Sequence, residues 1–123
     1  MNETQAGELN PVAIEAAIRS CAERISRGVL ECNRRYEAHL TAQRDYDQAL
    51  ARAYLRADGP AHEKRHRAEL ATVVEREARD VCDAAYRFAD RQARALTEEL
   101  RAFQSIGASV RMMYGSAGRG EGA

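Results

Sequence analysis

The chain has 123 residues, and its 19 Lys and Arg balance 19 Asp and Glu. That balance excludes a whole-chain electrostatic attraction to nucleic acid or an acidic membrane, so any such attraction must come from local clusters. No apolar run approaches the ~20 residues of a membrane span, and Met1 to Asn10 lacks the positive flank and apolar centre of a secretion signal, which predicts a cytoplasmic protein with no membrane contact.

Residues 1–10 carry Glu3 and Glu8, no basic side chain and little apolar content, and read as a flexible acidic arm. Asn10 and Pro11 form an N-cap followed by a proline at the first helical position, so a helix is expected over 11–57. Its apolar positions Ile14, Ile18, Ala22, Ile25, Val29, Cys32, Tyr36, Leu40, Leu50 and Tyr54 recur mostly at steps of three or four. Gly28 interrupts this run, marking either close approach by another helix or simple tolerance. Cys21, Cys32 and Cys82 are odd in number and unpaired in spacing, which predicts reduced thiols packed as small hydrophobes.

Asp58, Gly59 and Pro60 are the turn about which the chain folds back, since Gly59 can end a helix in the left-handed region and Pro60 can begin the next. The second helix is expected over 60–113. Its main stripe reads Leu70, Val74, Val81, Ala85, Phe88, Gln92, Ala95, Leu100, Phe103, Ile106, Val110 and Met113. A second apolar line repeats every seven residues through Cys82, Ala89, Leu96, Phe103 and Val110. One partner helix cannot cover both lines. The reading is an all-α, antiparallel, coiled-coil-like hairpin over 11–114, assembled into a homo-oligomer through Cys82, Ala89, Leu96, Phe103, Gly107 and Val110. Gly115, Gly118, Gly120 and Gly122 predict a disordered tail over 115–123.

Catalytic patterns fail on inspection. His62-Glu63-Lys64-Arg65-His66 has the spacing of a zinc-protease helix, but Lys64 and Arg65 would set two positive charges beside a dication and no third ligand follows at the required distance. His39 lies one heptad from Cys32 without a third group to orient it. No glycine loop cradles phosphate. The expectation is a protein that is not an enzyme, with no metal and no cofactor. More suggestive are Arg52, Arg56, Lys64, Arg65 and Arg67 around the turn, a cluster that can contact phosphates while Tyr54 stacks on an unpaired base. A solvated turn explains the same residues. Lys64 is the only lysine, and the preference for arginine fits either forked phosphate contacts or overall composition.

Three stretches carry a resemblance: Ala53-Tyr54-Leu55-Arg56-Ala57-Asp58-Gly59-Pro60, Lys64 to Thr72, and Leu100 to Arg111. Across these the chain resembles small helical proteins from the replication and recombination regions of actinobacterial phages, some of which look like UvsY-type recombination mediators. The resemblance implies a non-enzymatic DNA recombination accessory protein of the host cytoplasm, binding single-stranded DNA, a recombinase or a single-strand-binding protein. The helical faces alone support another reading, a coiled-coil adaptor or assembly protein with protein partners only.

Overall fold

The computed structural model describes residues 10–122, with side chains described over 10–115. Among the described residues every regular element is helical: α1 (Pro11–Arg56), α2 (Ala61–Ala71) and α3 (Val73–Gly122). The expected acidic arm falls, apart from Asn10, on residues outside this range. No described helix is long and apolar enough to cross a membrane.

Helix α1 starts where its sequence directs. The Asn10 side-chain oxygen accepts from the Ala13 amide at 2.9 Å, and the Asn10 carbonyl accepts from Ile14 at 3.0 Å. Both bonds occupy amide groups that a helix start otherwise leaves unpaired. At the other end the Ala57 amide is shared between the carbonyls of Ala53 and Tyr54, at 3.1 and 3.2 Å. Gly59 then takes φ +101°, where L side chains are strained, and Pro60 precedes α2 as expected.

The single helix expected over 60–113 is interrupted at Thr72. There the amide bonds the Glu69 carbonyl at 3.3 Å, one residue short of the α-helical partner, and the hydroxyl donates to the vacated Ala68 carbonyl at 2.7 Å. A buried threonine whose hydroxyl competes for the fourth-previous carbonyl bends or breaks a helix. Val73 and Val74 follow it, so three β-branched residues in a row weaken the helix at the same place. Helix α3 is placed over Val73–Gly122, where the sequence reading ended the helix near Met113. The cause lies in termination: among the described residues Gly59 alone has positive φ, so none of the later glycines makes the left-handed stop that ends a helix.

The chain divides into two compact units. In the first, the described residues of Met1–Val29 pack on those of Gln92–Ala123. The Cys21 thiol, fully buried, donates to the Leu96 carbonyl at 3.3 Å, and Arg24 meets Glu99 at 3.0 Å. A Cβ on Gly107 would lie 3.1 Å from Ile14 Cγ2, so this glycine is where α3 comes close to α1. The second unit, Leu30–Arg91, holds the end of α1, all of α2 and the start of α3. Arg35 Nη1 donates to the Ala85 carbonyl at 3.0 Å, the rings of Tyr36 and Tyr86 lie 5.1 Å apart, and the Arg79 guanidinium sits 4.6 Å over the Tyr46 ring. Ile14 beside Gly107 and Cys21 beside Leu96 in the first unit, and Tyr36 beside Tyr86 and Tyr46 beside Arg79 in the second, follow the antiparallel pairing expected.

In the second half the heptad line faces inward, and the main stripe is divided, with Ala85, Leu100, Phe103 and Val110 half-buried or buried and its other large residues outside. Ala89, Gly107 and Val110 are buried within the chain, and Cys82, Leu96 and Phe103 are half-buried. Packing within the chain thus already covers part of the oligomer surface read from sequence. Leu70, Val74, Val81, Phe88, Ile106 and Met113 of the presumed inner stripe are exposed. A small residue permits close helix approach, as Gly107 does beside Ile14, while Leu70, Val74 and Val81 stay outside. Gly28 has nothing within 4 Å of its Cβ position, so simple tolerance explains it.

Candidate groove and the basic connection

The basic cluster lies in the second unit, on the end of α1 and on α2. Arg52 and Arg56 project from the last turns of α1 and are exposed. The cations of α2 are held by neighbours. Lys64 Nζ sits 4.8 Å over the Tyr54 ring, which takes the face that an unpaired base would need. Arg65 Nε lies 3.3 Å from Glu69, and Arg67 lies 3.8 Å from Glu63 while donating to the Asp58 carbonyl. Glu69, outside the cluster as counted in sequence, therefore offsets part of its charge. Structure brings all six expected residues into one unit but does not align them as a row of free donors.

The contacts of Arg67 also fix the connection. Bonding Asp58 and approaching Glu63, it ties the residues before Gly59 to the first turns of α2. His62 and His66 are exposed, and His66 Nδ1 lies 3.8 Å from Glu69. Glu63, which a zinc-protease helix would use to activate water, is engaged with Arg67. No group of three or more His, Cys, Asp or Glu is placed to hold a metal among the described residues.

Beside this connection runs a groove of about 680 Å³ between α1 and α2. Tyr46, Leu50 and Tyr54 line it at four-residue intervals, adding to one wall of α1, and Leu55 borders it at 79% exposure. Ala68 of α2 is small and buried, which opens the space between the helices. Asp47, Arg65 and Glu69 supply charge to an otherwise apolar surface. An aliphatic and aromatic trough with a few charged groups suits an apolar helix face better than a phosphate backbone.

Sequence reading placed Leu50 and Tyr54 on the core stripe and did not single out Leu55 or Ala68. Leu55 follows Tyr54 directly and so lies off the stripe, which was the available signal. A second hollow of about 230 Å³ is lined by Ala53, Arg56, Ala57, Arg67 and Ala71. It brings two guanidinium-bearing residues to one place. No protein-family model, no curated protein and no solved structure matches the chain.

Proposed function

We propose that this protein is a non-enzymatic helical adaptor whose α1–α2 groove receives an amphipathic helix of a protein partner. The observation that carries this reading is the apolar groove of about 680 Å³ bordered by exposed Leu55. An amphipathic helix would lay its apolar face along Tyr46, Leu50 and Tyr54, with Asp47, bonded by Gln43, and Arg65, paired with Glu69, at its flanks. Truncating or charging an apolar anchor in such a site removes most of the affinity, since few residues carry the binding energy. The test is capture of partners by the full chain and by its Leu55→Glu variant. Discrete protein partners lost in the variant support the adaptor. Partners retained by the variant remove the groove from the account.

The mediator-like reading is favoured by one separate observation, the hollow shared by Arg56 and Arg67. On that reading the chain binds single-stranded DNA or assists a recombinase and a single-strand-binding protein, and its affinity for an oligonucleotide falls with salt by roughly 0.7 in slope per phosphate neutralised. Arg52→Glu with Arg56→Glu would flatten the slope. Fluorescence anisotropy without salt-dependent binding leaves only the adaptor.

A further inference from the structure

The exposed face of α3 in the second unit is patterned for pairing with itself. Val74, Val81 and Phe88 repeat every seven residues and remain 75%, 68% and 49% exposed. They run along about 21 Å of helix, at a rise of roughly 1.5 Å per residue. Beside them at the complementary heptad position stand Ala78 and Ala85, small enough to receive a bulky side chain. A third line, Glu77, Ala84 and Arg91, flanks the apolar strip with an acid at one end, a methyl group in the middle and a base at the other. All three are exposed, and neither Glu77 nor Arg91 has an ion-pair partner among the described residues.

From this pattern we infer that two copies of the chain pair antiparallel through this face of α3, with Val81 of each against Ala85 of the other and Glu77 of each opposite Arg91 of the other. Direction follows from charge. In a parallel pair Glu77 would meet Glu77 and Arg91 would meet Arg91, whereas reversal about Ala84 brings unlike charges together twice. Register follows from size. Matching Val81 to Ala85 also sets Phe88 on Ala78, so these two large side chains enter gaps left by small ones, Val74 falls opposite Gln92, and Ala84 meets its own copy. A one-heptad slip in either direction would lose both charge matches. This surface is separate from the α1–α2 groove, so self-pairing and partner binding can coexist.

Sedimentation of the full chain over a concentration series tests the pairing, with circular dichroism to confirm that helicity is retained. A dimer is expected, and Val81→Glu, at an exposed position, is expected to give a helical monomer. Glu77→Arg should raise the dimer dissociation constant by roughly tenfold, since two attractive pairs become repulsive. Adding Arg91→Glu to that variant should restore the original value, whereas a parallel pair, in which each residue meets its own copy, would show neither the loss nor the recovery. A wild-type monomer, a larger assembly, a dimer indifferent to Val81→Glu, or a double variant no tighter than the single would each overturn the inference.

Discussion

Gly28 and Gly59 have different meanings in this chain, and the local surroundings decide each. Gly28 sits in open space within α1, so Gly28→Ala should raise stability by about 0.5–1 kcal/mol, read as a shift in the denaturant midpoint with unchanged slope. Gly59 has φ +101°, and an added Cβ would lie 3.1 Å from Glu63 Oε2. Gly59→Ala should therefore lower stability by about 1–2 kcal/mol in the same measurement. A loss at Gly28 or a gain at Gly59 would contradict these placements. Glu31 offers a residue-level test through pH. Hydrogen bonds from Arg34, then Arg35, hold its carboxyl down from the usual 4.5 to about 2, and the same contact raises the Arg34 guanidinium. Because the folded value is depressed, the stabilisation is fully present above about 4.5 and disappears as pH falls toward about 2. A carboxyl titration followed by NMR should show a midpoint near 2 that moves back toward 4.5 in Arg34→Gln. A midpoint already at the usual value would remove the pair.

At the scale of elements, the break between α2 and α3 rests on one hydroxyl and a crowded sequence. Thr72→Ala removes the donor to the Ala68 carbonyl, freeing it for the residue-72 amide, and places the best helix former at the break. Backbone chemical shifts should then report unbroken helix from residue 61 into α3. If the break persists, Val73 and Val74 maintain it without the hydroxyl. Periodicity made both long helices legible, and Asn10, Gly59 and Pro60 marked their ends, because caps and left-handed glycines act through neighbours in sequence. Thr72 was not legible as a break, since threonine is common in helices and only its burial turns the hydroxyl inward. Which apolar line faced inward was also misread. Periodicity identifies apolar faces without ranking them, and the close approach of Gly107 to Ile14 is a relation between helices. The candidate site was legible to a similar degree: Leu50 and Tyr54 were visible as apolar positions, but the space between them depends on Ala68 of another element.

For the whole molecule, the small interior explains why surfaces matter. Among the described residues the buried apolar side chains are Ile14, Cys21, Ala42, Ala53, Ala68, Ala89 and Val110, and four of these seven are alanine. Alanine gives up little apolar area on burial, so packing within the chain leaves the larger residues available to other surfaces. Leu55 and Leu70 stand on the second unit with Val81 and Phe88, and Ile106, Met112 and Met113 stand on the first. With acidic and basic residues equal at 19 each, attraction to a polyanion must come from Arg52, Arg56 and their neighbours, several of which are already engaged. We propose that function resides in the apolar groove and not in the basic cluster, and photocrosslinking from an amino acid placed at Leu55 in the full chain, within its cell of origin, is the sharpest test. A discrete adduct with another protein, lost when Leu50→Glu is added, is expected. A nuclease-sensitive adduct, an adduct with a second copy of the chain, or no adduct at all would contradict it.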